Sequence, residues 1–264
     1  MKKITIIIMG FNIERSIKNH DKLFSIYSKM GCVSKLIFIW NNTNKKCPVK
    51  TQIYPKVFQI NALKNSLCNR YIIPYENIDT DIVLTLDDDV IFTESTIHNM
   101  INLYVKNPNC IIGASPRSYD IFGNYWKMAL KNKNCVRLTI GQCMMFNKKY
   151  MIEFRKYPDL IDSVDKSTGK CDDLVFQFVV LNSNKTSNIL TLDNFERFKL
   201  NDAGGMCKIK NWNKIRTNTI KYLIKYFNME SQISKKLNIL QLYQKLKIYQ
   251  EVATLKTKEA ITKI

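Results

Sequence analysis

The sequence has few histidines and no closely spaced pair of cysteines. Its two histidines are His20 and His98, and none of its eight cysteines belongs to a C-x-x-C pair. Zinc fingers and ribbons need paired ligands at short spacing, so the pattern predicts neither a zinc module nor a His-based metal site. The cysteines are expected to be mostly small buried hydrophobes in a reducing compartment.

Long apolar runs are also missing. No stretch reaches the about 18 apolar residues that a membrane-spanning helix needs. The apolar run at residues 4–9 is short, and Asn12, Glu14 and Arg15 follow it without a small-residue cleavage site. A first buried strand explains this run better than a signal peptide does. These features predict a cytoplasmic location.

Negative charge is scarce. The 264 residues include 41 Lys and Arg against 22 Asp and Glu, which gives a net charge of +19. Such an excess attracts polyanions, nucleotides and anionic membranes, and it says nothing about fold. The hydrophobic fraction of 45% is that of a globular chain, which excludes a disordered or collagen-like protein.

The first half of the chain alternates short apolar runs with amphipathic segments. The pattern predicts strands over residues 4–9, 35–40, 57–60 and 82–86, and helices over 17–30, 62–70 and from Thr93 or Ser95 to 106. This alternation is typical of a parallel, doubly wound sheet, in which ligands bind at the carboxyl ends of the strands. Two polar clusters, Asn41-Asn42 and Asp87-Asp88-Asp89, follow predicted strands and are candidates for such a site.

The second half is less regular. The pattern predicts strands over residues 110–114, 136–140 and 189–192, and helices over 148–157, 172–181 and 213–227. The final segment has Ile239, Leu242 and Leu246 at helical spacing, which predicts an appended amphipathic helix. The chain therefore divides into a main domain over residues 1–230 and a basic helical extension over residues 231–264.

Three adjacent carboxylates, Asp87, Asp88 and Asp89, end an apolar strand. Alternation would point Asp87 and Asp89 the same way for as long as the strand lasts. Three like charges this close repel, and a hard divalent cation such as Mn²⁺ or Mg²⁺ would supply a counter-charge. The alternative is a solvated strand end without a metal, and the triplet alone does not decide between the two.

A second acidic pair, Asp172-Asp173, opens a predicted helix with an apolar side. Acidic residues in the first turn of a helix are common caps and interact favourably with its dipole. Taken alone, the pair therefore favours this structural role over a catalytic one.

Several segments occur in the order and near the spacing of a known family. They are the Trp-Asn-Asn end of residues 35–42, the Asn-x-x-x-Asn-Arg pattern of residues 65–70, the Asp triplet, Ile140-Gly141 followed by Phe146 and Lys149-Tyr150, Cys171-Asp172-Asp173, and Asp193-Asn194 followed by Gly205-Met206. Through these segments the chain resembles the exostosin-type glycosyltransferase domain, especially the exostosin-like N-acetylhexosaminyltransferases. The resemblance covers about residues 3–227.

The resemblance implies a GT-A fold for residues 1–230, in which a Rossmann-like nucleotide-binding half merges with an acceptor-binding half. It implies transfer of a sugar, expected to be an N-acetylhexosamine, from a UDP-sugar to a glycan or glycoconjugate acceptor. The transfer would retain the anomeric configuration and would depend on Mn²⁺, or on Mg²⁺ in its place.

The resemblance also implies a donor-binding role for six residues. Asp89 would bind the metal, while Asp87 and Asp88 would contact the ribose and the sugar. The residues implied to hold the nucleotide are Asn41, Asn65 and Arg70.

The implied catalytic group is Asp173, which would lie beneath the donor sugar with Asp172 beside it. Arg216 stands ten residues after Met206, as in the family, and would meet the diphosphate or the charge that develops on it. This assignment suits the chemistry, because the sugar becomes cation-like while the leaving UDP gains negative charge.

The chain departs from the family in two places. Where the family carries Gln and Arg near the base, Met9, Asn12 and Ile13 stand here. The family's cysteine before the Asp pair forms a disulfide, but Thr219 stands near the position expected for the partner of Cys171. A free Cys171 fits a reducing compartment.

Two other classes of function stay open at this point. An acidic metal site in a basic chain also suits a metal-dependent nuclease or nucleic-acid-binding protein. The sequence has no helix-turn-helix, finger or aromatic RNA motif, so specific nucleic-acid binding is not expected. The third class is an inactive domain that serves as a scaffold.

The positive charge is concentrated in the C-terminal part of the chain, which includes the extension. From Cys207 onward, basic residues outnumber acidic ones by thirteen to three. One interpretation is a helix that packs its apolar stripe on the main domain or on a second copy in a homo-oligomer. The other is a peripheral anchor on an anionic membrane.

Overall fold

The computed structural model describes residues 2–120, 122–126, 135–166, 171–183, 188–192, 194–200 and 209–229. Its strands are β1 (Ile4–Gly10), β2 (Val33–Trp40), β3 (Val57–Asn61), β4 (Ile82–Leu86), β5 (Val90–Phe92), β6 (Ile111–Gly113), β7 (Pro116–Asp120), β8 (Tyr125–Trp126), β9 (Cys135–Thr139), β10 (Cys143–Asn147), β11 (Ile189–Thr191) and β12 (Arg197–Lys199). Its helices are α1 (Ile13–Lys29), α2 (Asn69–Ile72), α3 (Glu94–Lys106), α4 (Lys149–Arg155), α5 (Pro158–Lys166), α6 (Asp172–Ser183) and α7 (Trp212–Tyr226), with 3₁₀ turns at Thr51–Ile53 and Tyr75–Asn77. The predicted extension, residues 231–264, lies outside the described residues.

Seven strands form the central sheet of this α/β fold, in the order β11-β6-β10-β4-β1-β2-β3. β1 is parallel to β2 and β4, and β2 is parallel to β3. β10 runs antiparallel to both β4 and β6, so the sheet is mixed and the prediction of a parallel sheet is wrong. Parallel neighbours need a crossover connection, usually a helix, whereas the chain between β6 and β10 contains the strands β7, β8 and β9 of a separate sheet.

The central strands are buried on both faces. In β1, Ile4, Ile6 and Ile8 pack in the apolar layer formed with α1 and α3, while Ile7 and Met9 pack in the layer formed with α4, α6 and α7. Burial on both faces explains why β1 is a continuous apolar run in the sequence. The strand ends that carry the polar clusters are therefore fixed by packing from two sides.

Most elements of the first half agree with the sequence patterns. The strands predicted over residues 4–9, 35–40, 57–60 and 82–86 correspond to β1 to β4, and the predicted helices over 17–30 and up to 106 correspond to α1 and α3. Thr93, rather than Ser95, caps α3, because its side chain accepts a hydrogen bond from Thr96 N at 3.3 Å.

The helix predicted over residues 62–70 is wrong for most of its length. Only α2, which begins at Asn69, is helical there. Ahead of it, Ser66 N donates to Asn41 Oδ1 at 3.4 Å, and the Ser66 hydroxyl accepts from Cys68 N at 3.1 Å. Polar side chains thus satisfy the backbone of this segment outside a helix, which is the usual way that Asn and Ser compete with helix formation.

Several short elements have no counterpart in the predictions. β5 pairs with β12, and β7 and β8 form a separate three-stranded sheet with β9. The strands predicted over residues 110–114, 136–140 and 189–192 are confirmed and correspond to β6, β9 and β11. β10 and α5 are also additional, while the helices predicted over residues 148–157, 172–181 and 213–227 correspond to α4, α6 and α7. Within the part of the chain that the structure describes, each helix is too short or too polar to cross a bilayer.

Candidate active site

The turn after β4 separates the three adjacent carboxylates. β4 ends just before the triplet, so strand alternation does not set the directions of Asp87, Asp88 and Asp89. Asp87 Oδ1 lies 3.0 Å from Arg70 Nη1, whereas Asp88 Oδ1 lies 2.9 Å from Arg15 Nη1. Asp89 is half-buried at the end of the turn. The triplet therefore consists of three acids in three different environments.

Asp88 is the most buried acid of the triplet. Arg15 donates to its Oδ1, and the Asn19 side-chain amide donates to its backbone oxygen at 2.9 Å. Burial raises the pKa of Asp88, and the positive charge of Arg15 acts against that rise. No sequence motif indicates Arg15 or Asn19 as site residues, although their i, i+4 spacing at the start of α1 puts them on one helix face.

Arg70 connects the turn to the second acidic pair. Its buried guanidinium donates through Nη1 to Asp87 Oδ1 at 3.0 Å and to the Gly141 backbone oxygen at 3.3 Å. Its Nε lies 3.6 Å from Asp172 Oδ2. A single cation thus lies between two carboxylates that come from distant parts of the sequence.

Asp173 and Arg216 form the most enclosed ion pair of the site. Arg216 Nη1 donates to Asp173 Oδ1 at 3.0 Å and Nη2 donates to Oδ2 at 2.8 Å. The side chain of Arg216 is only 1% exposed, and its guanidinium lies 4.7 Å from the ring centre of Tyr125 and 5.4 Å from that of Trp212. The two aromatic rings and the carboxylate together fix the guanidinium plane.

Backbone amides complete the surroundings of Asp173. Gly141 N donates to Oδ2 at 3.0 Å, and Leu174 N donates to Oδ1 at 2.9 Å. A Cβ atom on Gly141 would lie 2.9 Å from the Cβ atom of Asp173, so glycine permits the close approach of this turn to α6. Each carboxylate oxygen consequently accepts two hydrogen bonds.

The pKa values of the neighbouring acids Asp172 and Asp173 are shifted in opposite directions. Burial raises the pKa of Asp172 to about 7, against the lowering effect of Arg70. Burial also acts to raise the pKa of Asp173, but the charge and hydrogen bonds of Arg216, with the two backbone donors, hold it below its ordinary value. The site therefore places an acid that is held in its ionised form beside one whose pKa is raised to about 7.

A separate amide cluster lies at the carboxyl end of β2. Asn41 Nδ2 donates to Asn65 Oδ1 at 3.1 Å, and Asn69 Nδ2 donates to Asn41 Oδ1 at 2.6 Å. Asn41 is buried and Asn65 is exposed. Asn41 N also donates to the Gly10 oxygen at 2.8 Å, which holds the ends of β1 and β2 together.

Cys171 and Thr219 are neighbours in space. The two side chains are hydrogen-bonded, and burial raises the pKa of the Cys171 thiol to about 11. Cys171 forms no disulfide with any residue that the structure describes. The hydroxyl of Thr219 thus occupies the region where the family resemblance implies a second cysteine, and it joins α7 to the start of α6.

The structure brings five of the predicted residues into one connected network. Asp87, Arg70 and Asp172 are linked in a chain, and the turn at Gly141 connects Arg70 to the Asp173–Arg216 pair. The remaining predicted residues are arranged around this network: Asn41 and Asn65 at the end of β2, and Asp88 and Asp89 in the turn after β4.

A family model for the glycosyl transferase family 64 domain matches residues 4–243. The chain belongs to this family. The exostosin-type resemblance inferred from the motifs is thereby confirmed. The match continues past residue 230, the boundary predicted for the main domain.

Curated relatives carry the exostosin name. Human Exostosin-2 is 28% identical over 178 residues, which cover 62% of this chain and 24% of that protein. Human Exostosin-like 2 is 24% identical over 70% of this chain and 62% of its own length, and an Arabidopsis thaliana protein named glycosyltransferase family protein 64 C3 is 21% identical over 87% and 70%. The chain thus spans about a quarter of Exostosin-2.

Proposed function

We propose that this family 64 domain is a retaining glycosyltransferase with a GT-A fold. It transfers a sugar, expected to be an N-acetylhexosamine, from a UDP-sugar to a glycan or glycoconjugate acceptor. The observation that carries the proposal is the buried network in which Arg70 joins Asp87 at a strand end to Asp172, next to the Asp173–Arg216 pair. Such enclosed, oppositely charged groups at the carboxyl edge of a sheet suit a reaction in which charge separates.

Asp173 supplies fixed negative charge to this site. Its two oxygens accept four hydrogen bonds, and its lowered pKa keeps it ionised at neutral pH. A carboxylate with all these donors is a weak nucleophile but still attracts a cation-like sugar. The arrangement therefore favours electrostatic stabilisation of the sugar over formation of a covalent bond to Asp173.

Arg216 has two functions in the proposed mechanism. It keeps Asp173 ionised and correctly oriented, because both terminal nitrogens hold the carboxylate. It also supplies a buried positive charge to the diphosphate as negative charge develops there. The rings of Tyr125 and Trp212 prevent the guanidinium from rotating away into solvent.

The residues of the turn after β4 fit a hard divalent cation. Asp89 is half-buried, and the side chain of Asp87 is 35% exposed, so both can present carboxylate oxygens of the kind that Mn²⁺ and Mg²⁺ prefer. Asp89 is the proposed ligand. When bound, such an ion supplies positive charge that stabilises a leaving diphosphate. Arg15 and Asn19 hold the Asp88 backbone and side chain, and so fix the shape of the turn.

The amide cluster is the proposed nucleotide contact. Asn41 and Asn65 lie where the ends of β1 and β2 meet, and their amides offer both donors and acceptors. Arg70 follows on the same segment and is proposed to lie near the sugar or diphosphate. The base and the charged part of the donor would thus be recognised by residues of two neighbouring segments, one after β2 and one after β3.

Release of UDP from a panel of UDP-sugars in the presence of Mn²⁺ tests the proposed reaction. We expect turnover of at least one donor, lost in Asp173→Asn. No turnover of any donor, with cleavage of labelled DNA or RNA by the same preparation, would favour the nuclease alternative. UDP binding without turnover would favour the inactive scaffold.

Calorimetry tests the metal separately. UDP is expected to bind more tightly with Mn²⁺ than with EDTA, and Asp89→Ala is expected to remove the difference. Asp81→Ala is the matched control, because Asp81 is exposed at the opposite end of β4. Equal UDP affinity with Mn²⁺ and with EDTA would contradict a metal requirement.

The basic extension is proposed to bind an anionic surface such as a membrane. The proposal rests on the charge of residues 231–264 and is tested by sedimentation with anionic vesicles at low and high salt. Salt-sensitive binding that is lost on deletion of the extension would support it. Absence of binding at low salt would leave packing on the main domain or on a second copy as the explanation.

A further inference from the structure

Three potential metal ligands of different chemistry converge at the amino end of β2. They are the Cys32 thiol, the Glu94 carboxylate and the His98 imidazole, and one ligand atom of each lies within 4.8 Å of the other two. Glu94 and His98 are an i, i+4 pair on the first turns of α3, so they share a helix face. Cys32 lies beside them, although it is distant in the sequence.

The spacing of the ligand atoms is close to that of a tetrahedral zinc site. Zinc bonds of roughly 2.0–2.3 Å at tetrahedral angles separate neighbouring ligand atoms by about 3.3–3.7 Å. The His98 Nε2 and Glu94 Oε1 atoms are 3.7 Å apart. The remaining separations are within 4.8 Å, and His98 is half-buried and Glu94 exposed, so these two side chains have room to adjust toward a common ion.

The His98 nitrogen gives a second, independent indication. His98 Nε2 is shielded from solvent, yet it makes no hydrogen bond to any residue that the structure describes. The Glu94 oxygen at 3.7 Å is beyond hydrogen-bond distance. A shielded imidazole nitrogen that faces a carboxylate and a thiol is the arrangement that a metal ion satisfies.

The cluster lies far from the proposed active site. Cys32 O accepts from Ile4 N at 2.9 Å, which places it at the start of β1, whereas the amide cluster and the Asp triplet lie near the carboxyl end of that strand. A seven-residue strand spans roughly 20 Å. The two positions also differ in chemistry, because the Asp triplet offers only hard oxygen donors.

We propose that Cys32, Glu94 and His98 bind a Zn²⁺-type ion, with water as the fourth ligand. A thiolate and an imidazole select Zn²⁺ or Co²⁺ over Mn²⁺ and Mg²⁺. Lys3 and Lys56 donate to backbone oxygens of the adjoining turn, at Gly31 and Met30, and so place positive charge on the Cys32 side of the cluster. The bound ion fastens the start of β2 to α3 and so stabilises the fold at the edge opposite the active site.

Titration of the chelator-treated full chain with Co²⁺ tests this proposal. We expect a thiolate-to-cobalt charge-transfer band that saturates at one ion per chain, is abolished by Zn²⁺ and persists in excess Mn²⁺. Asp89→Ala should retain the band, which distinguishes this site from the proposed catalytic metal. Absence of the band in the wild-type chain would overturn the proposal.

Ligand variants complete the test. Cys32→Ser should lose the band, while Cys47→Ser, at a free cysteine that is only partly buried, should keep it. His98→Gln changes a partly exposed residue, so it should fold normally and weaken Co²⁺ binding by at least about tenfold, as expected for a lost ligand. Zn²⁺ should also raise Tm in the wild-type chain and not in His98→Gln. An unchanged band in both ligand variants would overturn the proposal.

Discussion

Two arginine–aspartate pairs lie side by side at the start of α6, and they differ in geometry. Arg216 contacts both oxygens of Asp173 at 3.0 and 2.8 Å, whereas Arg70 lies 3.6 Å from a single oxygen of Asp172 and also binds Asp87. Both acids are buried. Asp173 nevertheless has a lowered pKa, while the pKa of Asp172 is raised to about 7.

The difference between the pairs shows what keeps a buried acid ionised. Burial raises the pKa of both carboxyl groups. The number of hydrogen-bond donors and their distances therefore decide which of the two acids stays ionised. Asp173 has four close donors, and Asp172 shares one cation with a second acid. Adjacent positions in the sequence can therefore have opposite charge states at the same pH.

Removal of the Arg216 side chain breaks the stronger pair and is expected to have the largest effect. Arg216→Ala leaves the Asp173 carboxylate buried without its cation, which should lower the free energy of unfolding by about 3–5 kcal/mol. Urea denaturation measures this change. Lys214→Ala, at an exposed position on the same helix, is the control and should be nearly neutral. A loss below about 1 kcal/mol in Arg216→Ala would mean that the pair contributes little.

The roles of the two acids are compared directly by substituting each with its amide. Asp173→Asn keeps the shape and removes the fixed charge, so kcat should fall by about 10²–10³ while UDP affinity changes little. Steady-state kinetics and UDP calorimetry give the two quantities. If Asp173→Asn turned over donor normally and Asp172→Asn were inactive, the assignment of the pair would be reversed.

The raised pKa of Asp172, in the weaker Arg70–Asp172 pair, predicts that the free energy of unfolding depends on pH. The pKa of Asp172 rises from 3.8 to about 7 on folding, so the folded state binds a proton that the unfolded state releases. The resulting stabilisation is fully present below the unfolded pKa and is lost as the pH rises through about 7. Between pH 5 and pH 8 the free energy of unfolding should fall by about 1–3 kcal/mol from this group.

Asp172→Asn should flatten that part of the profile, because the amide does not titrate. Urea denaturation at several pH values measures both proteins. An identical slope in the variant would mean that Asp172 is already ionised at pH 5. Asp173→Asn provides the contrast, since its carboxylate stays ionised over this range and its loss should shift the curve without flattening it.

The central part of the fold follows from the sequence because each strand carries its own signal. Continuous apolar runs mark β1, β2 and β4, and the polar residues after them mark the edge at which the site forms. β10 gives no such signal for its direction, because the sequence pattern of a buried strand is the same in parallel and antiparallel pairing. The loop before Asn69 is likewise set by contacts to Asn41 that no local pattern contains.

The site residues were predictable as a set only through motifs. Asp173, Arg216 and Arg70 come from three distant segments, and no periodicity indicates that they meet. The contacts that set the charge states of the acids are less predictable still, because the Gly141 amide beside Asp173 and the Arg15 guanidinium beside Asp88 belong to elements outside the acidic motifs. Their roles depend on how the turn after β9 and the helix α1 pack against the sheet.

Gly141→Ala is the smallest substitution that separates the two acids, because it adds one carbon atom next to Asp173 and none next to Asp172. The new Cβ would lie 2.9 Å from the Cβ of Asp173, so the turn or the start of α6 must shift. We expect Gly141→Ala to cost about 1–2 kcal/mol, as other overpacked sites do. Gly31→Ala is the matched control, because a Cβ there meets nothing within 4 Å.

The Gly141 amide also donates to Asp173, so its displacement should lower kcat while the titration of Asp172 near pH 7 persists. Thermal denaturation and a pH profile of kcat measure the two effects. Loss of that titration in Gly141→Ala would instead mean that the two acids act as a single coupled unit.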